Sequence, residues 1–307
     1  MSSPENLENR IVQRIRDKGP LTGAEISAAV AEDSLLVWRA CRLSEALRVV
    51  TIGRRYLRLD RNIDGFARLS PSILREFLTY SVIGLQEALP AIRDKADEIQ
   101  SHIKAVSREK LSLSRTLLSG LMGQMECDFL LRDQACFMIA GDIVYDMAHD
   151  VPRPERSTGK MIHGSDIDLV VVVDDLFPKE LMERVDAVIY QEKQRILMTP
   201  HLREEIDYVV KDLARVRTQL AFDTFKHMLA CKILQEAKLV YGSQSLFALI
   251  QGMLLDQGVT EKLAVMEQHA RSSRGEIEKH LLTEDPGCIR QGNLFYFYPA
   301  EESEEFE

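Results

Sequence analysis

The chain has 307 residues, 45% of them hydrophobic, and a formal net charge of −9. At roughly 150 residues per domain, that length predicts about two domains with sizeable cores. The acidic balance excludes a protein that coats nucleic acid through a generally basic surface, because Lys and Arg supply that affinity. The charge is uneven: residues 1–68 hold 12 Lys+Arg against 9 Asp+Glu, a net of +3, and the remainder nets −12. The five cysteines, Cys41, Cys127, Cys136, Cys231 and Cys288, form no C-x-x-C pair, which fits reduced structural thiols. No apolar run approaches the ~18 residues of a membrane span, and the polar start lacks a signal peptide's apolar stretch. The expectation is a soluble cytoplasmic protein with no membrane partner.

Leu7, Ile11 and Ile15 fall at helical spacing and predict a helix over 6–17, stopped by Gly19-Pro20. Thr22-Gly23-Ala24-Glu25 has the form of a capping box, with Leu21 and Ile26 placed as a hydrophobic staple. A short helix to about Val30 follows. A third helix starts after Asp33-Ser34, with Leu36, Ala40, Leu43 and Leu47 expected on its buried face. Residues 49–52 and 56–59 read as two short strands joined by Gly53-Arg54-Arg55. Three short helices and a hairpin make the order of a winged helix-turn-helix. Arg39 and Arg42 share a face of the third helix, and Arg48, Arg54, Arg55 and Arg58 decorate its end and the wing. In a DNA reader that helix enters the major groove and wing arginines meet phosphate. Trp38 and Leu35 on the same helix equally suit a protein contact.

Ser70-Pro71 predicts a helix start, running to about Ala88 and broken at Pro90. Beyond it, Ile92, Ala96, Ile99, Ile103, Val106, Lys110, Leu113 and Leu117 repeat at 4,3,4,3 spacing, a heptad seam with one polar interruption. That seam suits packing within the chain or a homodimer. From Cys136 the pattern turns to strands: residues 136–140, 169–173 and 206–210, with helices expected over 178–196 and 214–237. The fold class expected is α+β, helices covering a small mixed sheet, followed by an acidic tail from Pro299.

The chemistry concentrates in Gly164-Ser165-Asp166-Ile167-Asp168 and the apolar strand behind it. On an extended chain, residues two apart point to one face, so the Asp166 and Asp168 carboxylates converge at the start of a buried strand. Converging like charges need neutralising, and hard oxygen donors suit Mg²⁺, with Mn²⁺ as a substitute. A D-x-D pair also occurs in sugar-nucleotide glycosyltransferases and haloacid-dehalogenase-type phosphatases. There the apolar strand precedes the motif, whereas here it follows.

Gly164-Ser165-Asp166-Ile167-Asp168-Leu169 resembles the core motif of the DNA polymerase β-like nucleotidyltransferase superfamily: Gly-Ser, a carboxylate pair, then a strand. The family's third carboxylate, on a later strand, is matched by Asp207 in Glu205-Ile206-Asp207-Tyr208, with Glu205 and Asp212 as rivals. Leu239-Val240-Tyr241-Gly242 resembles the ending of the following helix in small bacterial members. The likeness covers about residues 135–245. Many members place Gly-Ser about a dozen residues before the carboxylates. Here that place holds Ala140-Gly141-Asp142, so Gly141 and Gly164 both stand as the glycine that meets the triphosphate. The resemblance implies a two-metal transfer of a nucleoside monophosphate from an NTP to a hydroxyl on RNA, protein or a small molecule. Asp166, Asp168 and Asp207 would be metal ligands, Asp207 would also accept the hydroxyl proton, and Lys226 and Lys232 would face the triphosphate.

The domain organisation expected is a winged helix over 1–68, a helical linker over 69–133, and a nucleotidyltransferase domain with C-terminal helices over 134–307. The alternative is a winged-helix DNA-binding regulator carrying an idle nucleotidyltransferase fold.

Overall fold

The structure, a computed structural model, describes residues 4–125, 128–155, 158–289 and 291–298. Cys127 and the acidic tail lie outside the described residues. In chain order the elements are α1 Pro4–Lys18, β1 Leu21–Thr22, α2 Gly23–Val30, α3 Ser34–Leu43, β2 Leu47–Thr51, β3 Tyr56–Leu59, β4 Ala67–Ser70, α4 Ile73–Thr79, β5 Ser81–Leu85 and α5 Leu89–Gly123. Then come α6 Asp128–Gln134, β6 Ala135–Ala140, a 3₁₀ turn Gly141–Tyr145, β7 Pro152–Pro154, β8 Met161–His163, β9 Ile167–Val173 and α7 Lys179–Met198. The chain continues through β10 Ile206–Asp212, α8 Leu213–Gln219, α9 Phe225–Glu236, β11 Lys238–Gly242, α10 Gln244–Asp256, α11 Val259–Thr283 and α12 Gln291–Phe297. This is a mixed α+β chain with several small sheets. Among the described residues, no helix is long and apolar enough to cross a membrane. The described residues fall into two compact units: residues 4–102 with 266–298, and residues Ile103–Val265. The boundary expected at residue 68 falls inside β4.

In the first unit the capping box forms as expected. The Thr22 hydroxyl accepts the Glu25 amide, and the Glu25 carboxylate accepts the Thr22 amide. Leu21 and Ile26 are buried in one cluster with α1 and α3. The buried face of α3 differs from the expected one: it carries Leu35, Val37, Trp38 and Cys41, while Leu43 is 57% exposed and Leu47 belongs to β2. Packing from two sides explains this. Phe297 of α12 meets the Trp38 ring edge-on at 5.5 Å, and the Tyr298 hydroxyl donates to Asp33 and accepts the Leu35 amide.

The expected hairpin between 49–52 and 56–59 is not made. β2 pairs instead with β5, in a three-stranded antiparallel sheet of order β1-β5-β2, and β3 pairs with β4. The turn chemistry that closes a hairpin sits after β3, where Asp60 accepts the Asn62 amide ahead of Asp64-Gly65. Correspondingly, the helix expected over 70–88 is short. Ser72, not Ser70, caps it, and from Ser81 the β-branched pair Val82-Ile83 takes the chain into the central strand. Pro90 opens α5 rather than ending a helix, since its missing N–H costs nothing in a first turn.

In the second unit the four-stranded sheet has order β10-β9-β6-β11, with β10 parallel to β9 and the other neighbours antiparallel. Both faces of β9 are covered, which its run of valines requires. Ile139, Ile167, Leu169 and Ile206 face Leu117, Leu118 and Leu121 of α5 and Ile189 of α7. Of the heptad seam, Ile103 and Val106 are buried in this unit and Ile92 and Ala96 in the first. The helix expected over 214–237 is two helices, divided where Phe222 adopts φ +54° and Thr224 caps α9. Leu239-Val240-Tyr241-Gly242 is strand β11 beside β6, not a helix end.

Candidate active site

Strand register assembles the site. Asp168, in β9, is the in-register neighbour of Asp207 in parallel β10 and of Ala140 in antiparallel β6. Neighbouring strands lie about 4.8 Å apart, so in-register side chains share a face. Asp166 stands two residues before Asp168, at the entry to the strand. Asp168 is 7% exposed, while Asp166 and Asp207 are partly exposed. The sequence-expected carboxylates are therefore brought to one sheet end.

Gly141 follows directly from Ala140. It has φ +68°, and a Cβ built there would lie 1.9 Å from Asp168 Oδ2. A side chain at 141 and the Asp168 carboxylate cannot share that space. Gly164 has φ +65° for a different reason: a Cβ there would lie 1.8 Å from the His149 carbonyl oxygen. Thus Gly141 borders the carboxylates and Gly164 packs on backbone. The Gly141 amide donates to Glu236 Oε1 at 3.0 Å. Ser165 is buried, donates to Asp142 Oδ2 at 2.9 Å and accepts the His149 amide.

Two cations that the sequence reading did not single out meet these carboxylates. Arg153 of β7 donates through Nε to the Gly164 carbonyl at 2.8 Å, pairs with Glu205 at 2.7 Å and lies 3.7 Å from Asp166. Lys193 of α7 pairs with Asp207 at 3.0 Å. Burial raises the Glu205 carboxyl above the usual range, the Asp207 and Asp166 charges push it further up, and Arg153 opposes them. Nothing in the pattern around Lys193 signals this role. Arg153 had one signal, its place between Pro152 and Pro154 in the loop between Gly141 and Gly164.

The two lysines expected at the triphosphate stand otherwise. Lys232 is buried and paired with Glu236 at 3.0 Å, and Glu236 also accepts the Tyr145 hydroxyl. Lys226 is exposed at the start of α9. Of the rivals of Asp207, Asp212 is engaged elsewhere as the cap of α8, whereas Glu205 borders the site and shares Arg153 with Asp166. Among the described residues, no three His, Cys, Asp or Glu side chains stand close enough together to hold a metal ion as they are placed. The donor chemistry is that of a hard divalent ion, since the carboxylates of Asp166, Asp168 and Asp207 lie at one sheet end.

Of the arginines expected at nucleic acid, Arg42 and Arg54 are exposed. Arg39 donates to the Leu281 carbonyl, and desolvation holds its guanidinium below the usual arginine range. Arg55 pairs with Glu76 at 2.5 Å and Glu278 at 2.8 Å. Cys41, Cys136 and Cys231 are buried free thiols and Cys288 is exposed.

Compared with models of protein families, with curated proteins and with solved structures, the chain matches none.

Proposed function

We propose that residues Ile103–Val265 form a Mg²⁺-dependent nucleotidyltransferase of the DNA polymerase β-like kind, moving a nucleoside monophosphate from an NTP to a hydroxyl. The observation that carries this is the register of Asp168 with Asp207 on parallel strands, with Asp166 two residues upstream. Asp166, Asp168 and Asp207 would hold the metal. When bound, Mg²⁺ supplies charge neutralisation to the triphosphate and acidity to the acceptor hydroxyl. Asp207, the more exposed of the two in-register carboxylates, takes the hydroxyl proton. The acceptor oxygen then bonds to the α-phosphorus as the bond to the bridging oxygen breaks and pyrophosphate leaves. Gly141 keeps the space beside Asp168 clear of side chain. The test is pyrophosphate release from each of the four NTPs with Mg²⁺ and RNA, protein or small-molecule acceptors. Release by wild type that Asp207→Asn loses supports the assignment, and equal release by both contradicts it.

A second reading concerns the first unit. Three helices and an antiparallel sheet of order β1-β5-β2 support a winged helix whose wing is enlarged by β3, β4 and α4. Its use as a DNA reader has less support. Arg39 and Arg55 have internal partners, Phe297 of α12 packs on Trp38, and Tyr298 just beyond it accepts the Leu35 amide. A salt-dependent DNA shift by the full chain, weakened by Arg42→Ala and Arg54→Ala, would favour a nucleic-acid partner. Its absence at low salt leaves a protein partner or internal packing.

A further inference from the structure

Resting on the nucleotidyltransferase reading, one feature of the site goes beyond it. Lys193 already pairs at 3.0 Å with one carboxylate expected to take metal, Asp207, and Arg153, paired with Glu205 at 2.7 Å, lies 3.7 Å from another, Asp166. Arg153 comes from the β7–β8 hairpin and Lys193 from the C-terminal half of α7, so two separate elements deliver the positive charge. Neither is locked away, the side chains being 31% and 26% exposed. Arg153 is aimed by its own backbone contact, Nε to the Gly164 carbonyl. Lys232, by contrast, is 3% exposed and tied to Glu236.

A divalent ion entering between Asp166, Asp168 and Asp207 competes with Lys193 for Asp207 and with Arg153 for Asp166, and leaves Arg153 with Glu205 as its remaining carboxylate. Displaced, the guanidinium and ammonium remain within a side chain's reach of the site. There the charge that lacks compensation is that of the phosphates. A planar guanidinium with five donors and a flexible ammonium are both suited to phosphate oxygens.

We propose that Arg153 and Lys193 are the triphosphate-binding residues of this site, held on Glu205, Asp166 and Asp207 until metal and phosphate together draw them off. Metal and triphosphate binding are then coupled, each favouring the other, and the two residues act with opposite sign on the two ligands. They weaken binding of metal alone by competing for its ligands. They strengthen binding of triphosphate once metal is present.

The test uses the full chain and two probes that need no knowledge of base or acceptor. Mn²⁺ alone is titrated by loss of the free-ion paramagnetic resonance signal, and inorganic tripolyphosphate is titrated calorimetrically with saturating Mn²⁺. Arg153→Gln/Lys193→Gln is expected to bind Mn²⁺ about tenfold more tightly than wild type and tripolyphosphate about tenfold more weakly, within the usual range of site coupling. Lys193→Gln alone, a change on a helix surface, should move both constants in the same directions by a smaller factor. Unchanged or weakened Mn²⁺ binding, or unchanged tripolyphosphate binding, would overturn the proposal. Equal Mn²⁺ binding by wild type and Asp168→Asn would instead remove the metal site itself, and with it the reading on which the proposal rests.

Discussion

Buried Lys110 forms an ion pair with partly buried Glu204, and the same ammonium donates to the His163 carbonyl at 2.9 Å. His163 lies three residues before Asp166, and Glu204 lies three residues before Asp207. One side chain on α5 therefore ties the entries of both carboxylate-bearing strands. Lys110→Met leaves the partly buried Glu204 without its partner, which should cost about 3–5 kcal/mol in urea unfolding. Lys110→Met/Glu204→Gln should regain much of that stability. It should not regain nucleotidyl transfer, because the anchor at His163 is still missing. Full activity in the folded double variant would show that the pair serves packing alone.

Gly141→Ala sets a methyl against the Asp168 carboxylate. The left-handed backbone adds about 1–2 kcal/mol of strain, and displacing Asp168 by even ~1 Å should lower transfer by about 100-fold. Gly164→Ala meets main chain at His149, which cannot swing aside as a carboxylate can. It should cost more stability than Gly141→Ala. Chemical unfolding and transfer rates on both variants check the order.

Lys211 is 4% exposed, and its ammonium donates to the Gln219 side-chain oxygen at 2.7 Å. Burial pushes its pKa down to about 8 from an ordinary 10.5. For a base with a depressed native pKa, the unfolded chain binds more protons between those two values, so stability rises with pH across them. The cost of the charged form is fully present below pH 8. Lys211→Met should therefore stabilise the protein near pH 7, by up to about 3 kcal/mol, and should abolish the rise in stability that wild type shows from about pH 8 to 10.5. Melting temperatures across that window would detect both effects.

In the first unit, Glu76 pairs with Arg55 at 2.5 Å and approaches Arg274 at 3.5 Å, and Glu278 meets the same two arginines. Arg274 is 4% exposed. Glu76→Ala removes one of the two carboxylates that balance a buried guanidinium and should destabilise the chain by about 3–5 kcal/mol. A loss below ~1 kcal/mol would mean that Glu278 suffices.

Local signals in the sequence carried far. The capping box at Thr22, the strand behind Asp168 and the helix over 179–198 rest on neighbours in the chain, and each forms. Pairing partners were harder to read. Residues 49–52 and 56–59 are both good strands, but nothing in either says that β2 waits for β5 some thirty residues later. The break at Phe222 was hidden because residues 214–237 keep an apolar pattern across it. At the site, the carboxylates were legible because two residues of spacing fix one face. Arg153, Lys193 and Glu236 were not, because long side chains reach the site from elements whose placement only the fold determines. Lys110 lay between these cases: it was visible as a polar break in an apolar seam, but its partner was not.

The central claim is that Asp166, Asp168 and Asp207 support nucleotidyl transfer. The most direct measurement incubates the full chain with α-phosphate-labelled NTPs, Mg²⁺ and a panel of RNA, protein and small-molecule acceptors, and follows label into acceptor. The account predicts incorporation by wild type and a loss of about 100- to 1,000-fold in Asp168→Asn, the scale expected when a group that stabilises transition-state charge is removed. Equal labelling by wild type and Asp168→Asn, or no labelling of any acceptor by wild type with any of the four NTPs, would contradict it.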